Sequence, residues 1–463
     1  MNENKAERLL EALGDADEDM LLAASPDKKP EKRRIPIWVR VGSVAAAAAL
    51  VVGVTVTLVL NHAPGDMVQP EQQITTDAEA STDSSVPEQN ITTEVSQPEN
   101  TPQLEHGTLT ADENLPKIPG NVKFGAMGFE GIMVPDISDY ASGNPWSEAQ
   151  NINVMPVYRN CVRKDGAGHM MVTGLDFYDI EDDLKTLLIN TAARMGVTLT
   201  DEDITDNAYS PEVQQEITEK LDGEVPEHYF DPTAVKAVTD EFTIETDTIY
   251  VTDIEFTQPI TLPFSLKITE YDEAVEAAEY LMQEYSGLLD MEAPVISIDG
   301  GDYYTTGERS PFSISFYDSA GTPEQDIENY FMNKVRFIGD DNGDLWIIRI
   351  YRSDLAGELV GNYPLITAEE AAEMLKNGEY ATSAPVSKGY KPESCGRVEL
   401  IYRTGITDEY FIPYYKFWVD VTDEIGEEGW SSGEAGKTYG AFYVPAVQPE
   451  YIEDVPTYDG RFN

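Results

Sequence analysis

The string Gly429-Trp430-Ser431-Ser432-Gly433 has the G-x-S-x-G spacing of a nucleophile elbow. That chemistry needs a strand before the serine, a helix after it and a triad histidine later in the chain. Here an acidic run precedes Ser431, a strand is expected next, and the last histidine is His228. Gly436-Lys437-Thr438 matches the end of a phosphate-binding loop. The first glycine of that motif falls on Ser431, and a strand again replaces the helix whose N-terminus would hold phosphate. Asp340, Asn342 and Asp344 open like a calcium loop, but Leu345 and Tyr351 stand where its glycine and bidentate acid belong. His62, His106, His169 and His228 have no second His or Cys at ligand spacing. A glycosidase-type carboxylate pair among the many acids is a reading that only spatial separation decides. No catalytic, cofactor-binding or metal-ligating residue is assigned, and the chain reads as non-enzymatic.

The remaining candidates bind partners. Arg159, Arg163 and Lys164 cluster positive charge in a chain whose formal net charge is −54. They suit an acidic partner or the protein's own carboxylates. The run Tyr410–Trp418 alternates as a strand does. Tyr410, Ile412, Tyr414, Lys416 and Trp418 share one face, and Phe411, Pro413, Tyr415 and Phe417 the other. One face is core; the other is either buried as well or an aromatic recognition surface of the kind that dominates binding hot spots. Pro413 suggests an edge position, where a peptide can add as a strand. Near the N-terminus Leu9, Leu10 and Leu13 form a short apolar face, matched to a cytoplasmic partner by the helix-in-groove mode. The net charge itself argues against nucleic acid and anionic lipid or wall polymer as ligands; it suits a cationic peptide or metal ions, or serves solubility at a cell surface.

Positioning these residues falls to a chain organised around residues 41–60, VGSVAAAAALVVGVTVTLVL, which carry no charge. About 20 apolar residues at about 1.5 Å each match a hydrocarbon core of about 30 Å. Lys28, Lys29, Lys32, Arg33, Arg34 and Arg40 precede the span, and Lys117 is the only basic residue between it and the body. Positive flanks stay cytoplasmic. The apolar run exceeds the about 7–15 residues of a cleaved signal peptide, so an uncleaved signal-anchor is expected. The predicted layout is a cytoplasmic tail over 1–36 and a membrane helix over 37–60. A disordered linker rich in Pro, Ser, Thr and Glu follows over 61–118. The extracytoplasmic body divides into 119–270 and 271–463.

The body reads as α+β, antiparallel sheets with helices packed on one face. Strands are predicted near 153–158, 169–178, 251–264, 294–298 and 312–317, with helices over 180–195, 211–221, 272–289 and 323–333. Val335–Ile338 and Leu345–Tyr351 flank Asn342-Gly343, the strongest short hairpin signal. Thr367 and Glu370 have capping-box spacing ahead of a helix over 368–377. Three strands follow over 398–403, 410–421 and 438–447. Cys161 and Cys395 leave one disulfide and two free thiols equally open.

The tail LLEALGDADEDM with its basic flank and Ala-rich span is similar to membrane-anchored proteins of Gram-positive gut anaerobes that carry no assigned activity. So are ELIYRTGITDEYFIPYYKFWVDV and KTYGAFYVPAV. More distantly, PLITAEEAAEMLKNGEY, through Ile366–Leu375, resembles the helix-plus-sheet modules of YycH/YycI or PepSY type. That resemblance implies an extracytoplasmic regulatory module and supplies no site residues. The expectation is a single-pass regulator or sensor at the cell surface, with a cytoplasmic or membrane regulatory protein as partner. The alternative is a surface-anchored binding module for peptide, glycan or protein with a passive tail.

Overall fold

The computed structural model describes residues 109–120, 129–162, 175–221, 223, 225, 229–304, 306–319, 321–405, 407–425, 436–458 and 460. The predicted tail, span and most of the linker lie outside them, with Leu9, Leu10, Leu13, Arg163, Lys164 and the Ser431 string. Among the described residues no helix is long and apolar enough to cross a membrane.

In chain order the elements are β1 (Gly131–Val134), β2 (Val154–Asn160), α1 (Phe177–Arg194), β3 (Ile204–Asp206), α2 (Pro211–Lys220), β4 (Ala234–Val238) and β5 (Phe242–Asp247). Next come β6 (Val251–Ile260), α3 (Tyr271–Glu284), β7 (Pro294–Asp299), β8 (Ser313–Asp318), α4 (Pro323–Met332), β9 (Lys334–Gly339) and β10 (Leu345–Tyr351). The chain closes with β11 (Gly357–Pro364), α5 (Ala368–Asn377), β12 (Ala381–Thr382), β13 (Arg397–Arg403), β14 (Tyr410–Asp420) and β15 (Lys437–Pro445). The fold is α+β, and every paired strand of the two sheets is antiparallel.

An eight-stranded sheet takes β3 to β10 in the order β3-β4-β5-β6-β10-β9-β8-β7. A seven-stranded sheet takes β1 and β2 from before that run and β11 to β15 from after it. Strand pairing therefore runs across residue 270: β6 pairs β10, and β1 pairs β15. The first sheet is an insertion in the chain of the second.

Each strand of the eight-stranded sheet alternates as its faces require. Ile254, Ile314, Phe316, Val335, Phe337 and Ile348 are buried on one face. Tyr285, just after α3, packs its ring on Phe337, and α3 adds Ala274, Ala277, Ala278 and Leu281. Helix α1 covers β4 and β5 with Ile180, Leu184 and Leu188. The helices do not all share that face, contrary to the sequence expectation. Tyr317 points away from its neighbour Phe316, and its ring meets Tyr330 of α4. Helix α4 thus lies on the opposite face of β8 and β9 and also packs on β13. It sits there because both its sides are buried, Ile327, Tyr330 and Met332 among them.

Local signals explain other differences. Tyr178 belongs to α1, not to a strand over 169–178, of which 169–174 lie outside the described residues. Asp176 caps the helix, accepting from Asp179 N at 2.9 Å while Asp179 accepts from Asp176 N. The helix expected over 272–289 stops at Glu284, and Ser286–Leu289 forms a separate turn ending on Asp290 at positive φ. Strand β11 escapes its own sequence, GELVGNYP, whose register against β2 slips between Leu359 and Gly361. The hairpin and the α5 capping box stand as read. Gly343 takes φ +86, and Thr367 and Glu370 exchange hydrogen bonds.

Candidate functional site

Strand β14 is not an edge. It runs between β13 and β15, and the Pro413 carbonyl accepts from Ala446 N at 3.0 Å. Both its faces are buried: Trp418 is 5% exposed on one and Tyr415 2% on the other. Trp418 Nε1 donates to Glu399 at 3.2 Å, and Lys416 Nζ lies 3.1 Å from the same carboxylate and 4.6 Å from the Trp418 ring centre. Arg397 reaches the other oxygen at 3.2 Å. Burial pushes the Glu399 carboxyl up, but Lys416 and Arg397 outweigh it and hold the group below the usual carboxylate range. This strand face is thus an internal ion cluster, with no free aromatic surface. Tyr410 is half-buried and pairs with Arg159, whose guanidinium bonds Glu358. Arg159 thus serves the protein's own carboxylate. Cys161 and Cys395 are free thiols.

The polar string Asp340–Asp344 is turn chemistry. Asp340 accepts from Asn342 N at 2.8 Å and Asp344 N at 2.9 Å, and these bonds hold its carboxyl below the usual range against the opposing push of burial. Among the described residues no group of three metal-ligating side chains forms. Lys437 pairs with Asp420 at 3.0 Å instead of lining a phosphate loop.

A different cation stands out on the α4 side of the eight-stranded sheet. Register places a polar row across it: Ser297, Ser315, Arg336, Arg349, Asp253, Glu245 and Lys236 lie opposite one another in turn. Arg336 and Arg349 are like charges directly opposed, which is unfavourable unless compensated. Arg349 is compensated by a two-point fork on Asp253, with both bonds at 2.7 Å. Arg336 is not. It makes no ion pair among the described residues, and its buried Nε has no hydrogen-bond partner. A buried donor left unmade costs about 1–3 kcal/mol, so the Arg336 Nε is held at a cost to the fold.

Arg336 lines a groove of about 650 Å³ at the end of the sheet. Its floor is β8 and β9. One wall is the loop 261–268, pinned to the hairpin by Leu266 N donating to Gly343 O at 2.8 Å. The other is a small hairpin in which Tyr303 pairs Arg309 and Tyr304 N donates to Glu308 O at 2.8 Å. Tyr304, 51% exposed, and Trp346, 37% exposed, rise at its rim. Trp346 owes its position to a bulge in β10, where register slips between Leu345 and Ile347 against both neighbouring strands. Lys267 adds a second cation without an ion pair among the described residues; Asp341 adds an acid. Sequence reasoning used this hairpin for fold alone. The available signal was an arginine on the polar side of an interior strand, two residues from Lys334, in a chain of 85 acids and 31 bases.

The chain matches no protein-family model and no curated protein.

Proposed function

We propose that this chain is a non-enzymatic, single-pass membrane protein of the cell surface, its N-terminus cytoplasmic and its acidic body extracytoplasmic. In this reading residues 41–60 anchor it in the lipid bilayer and the linker holds the body outside. The body regulates or senses by taking a ligand in the groove beside Arg336. The observation that carries the reading is a guanidinium without an ion pair among the described residues in a groove that two exposed aromatics also line. Convergent polar groups in an apolar-rimmed cleft are the ordinary form of a binding site. The tail face of Leu9, Leu10 and Leu13 then passes the bound state to a regulatory partner inside. The resemblance to membrane-anchored proteins of gut anaerobes and to YycH/YycI or PepSY modules supports the same layout.

The test places a photo-crosslinking amino acid at Trp346 in the full-length protein in cells, beside a control at Val238, with and without residues 2–24. Capture at 346 and not at 238 is expected, together with a cytoplasmic or membrane partner that is lost on deleting the tail. Equal yields at both positions reject the groove. Capture at 346 with no consequence of the deletion leaves a surface binding module with a passive tail.

A further inference from the structure

Resting on the groove reading, we infer that its ligand is a short basic peptide with a free C-terminal carboxylate, seated by that carboxylate on Arg336. Two charges of opposite sign at different ranges point to it. At long range the protein presents a net −54, which draws cations and repels anions. At contact range the groove mixes both signs, Arg336 and Lys267, which make no ion pair among the described residues, with Asp340 and Asp341, so that only at the two cations is the field reversed. A simple anion meets the right contact and the wrong field, and a simple cation the right field and the wrong contact. A basic chain ending in a carboxylate satisfies both.

The surroundings fit such an end. The guanidinium fork binds a carboxylate at two points. Trp346, Tyr304 and the prolines Pro259 and Pro311 give apolar walls for the last side chains. Asp341 lines the groove, makes no hydrogen bond or ion pair among the described residues, and stands ready for a lysine of the peptide. Strand addition is not the mode here, because β9 is paired on both sides by β8 and β10. Recognition rests on the chain end and its side chains.

The experiment uses the full-length protein in detergent and a mixed library of hexapeptides with two lysines each, made once as free acids and once as C-terminal amides. Free acids should be retained at least tenfold better than amides. Arg336→Gln should erase that ratio, and Arg336→Lys should keep part of it. Trp346→Ala, at the groove's rim, should weaken both forms while the urea midpoint shows the variant still folded. Raising salt from about 0.05 to 0.5 M should weaken retention of free acids, because long-range attraction is screened. A free-acid to amide ratio unchanged by Arg336→Gln overturns the carboxylate seat. If Trp346→Ala still abolishes binding in that case, the groove reading stands without it. Retention of neither form, or indifference to both variants, overturns both.

Discussion

Glu245 lies in the same polar row as Arg336, opposite Lys236 and Asp253. Burial pushes its carboxyl up to about 7; Lys236 opposes the shift, and Asp247, Asp253 and Glu255 add to it. A carboxyl raised on folding binds more protons in the native than in the unfolded state. Stability therefore falls as pH climbs from about 4.5 to about 7 and stays lower above that window. Glu245→Gln should remove this slope and stabilise the protein by about 2 kcal/mol at pH 8, with little effect at pH 4.5. Urea unfolding at the two pH values reads it, and an equal effect at both would reject the assignment. Glu399 carries the opposite sign. Its carboxylate joins Lys416, Arg397 and the Trp418 indole, so Glu399→Ala strands two cations in a half-dry interior. A loss of about 3–5 kcal/mol is expected, measured by the shift in urea midpoint at constant slope.

At the scale of elements, caps and turns can be tested one residue at a time. Thr367→Ala should cost about 1 kcal/mol through loss of the bond its hydroxyl accepts from Glu370 N and the bond that hydroxyl donates to the Glu370 carboxylate. Gly343→Ala should cost more than that. Gly343 sits at φ +86, which costs an L-residue about 1–2 kcal/mol, and a Cβ there runs into the Ser265 hydroxyl. Because Ser265 belongs to the groove wall, this change should also reduce ligand capture at Trp346, whereas Thr367→Ala should not. These were also the legible features. Asn342-Gly343, Pro211, Pro323 and the Thr367–Glu370 pair are local, and their chemistry acts within four residues. The missed features depend on partners far away. The aromatic run of β14 looks two-faced because nothing within it tells that Glu399 and Ala446 will close both sides. Strand β11 hides behind its glycines, since a slipped register has meaning only against β2.

The nesting of one sheet inside the other has a consequence for how the whole molecule unfolds. The seven-stranded sheet is complete only when β1 and β2, from before the insertion, meet strands from after it, as Gly131 pairs Gly440. No sequence pattern announces a pairing over that separation, which is why an apparent boundary near 270 looked natural. The sheets are bonded through β7 and α4, in the middle of the insertion. Asp299 at the end of β7 accepts from Gly143 N at 2.9 Å and from the Tyr330 hydroxyl at 2.7 Å, and Ala141 pairs Gly300. Burial and the neighbouring Asp299 raise the Tyr330 hydroxyl well above its usual pKa, so it remains a donor throughout the accessible pH range. Tyr158 on β2 likewise donates to Glu328 of α4 at 2.6 Å. With α4 wedged against both sheets, neither can lose its packing without exposing the other. Fluorotryptophan labelling separates the two: Trp346 reports the eight-stranded sheet, and Trp146 and Trp418 the seven-stranded one. Their urea transitions should coincide within error, the mark of a single cooperative unit. Tyr330→Phe should move both midpoints together by about 1–2 kcal/mol of lost stability. A Trp346 transition that precedes the other two, in the parent or in the variant, would show that the inserted sheet folds on its own account and that the Asp299 junction joins two independent bodies.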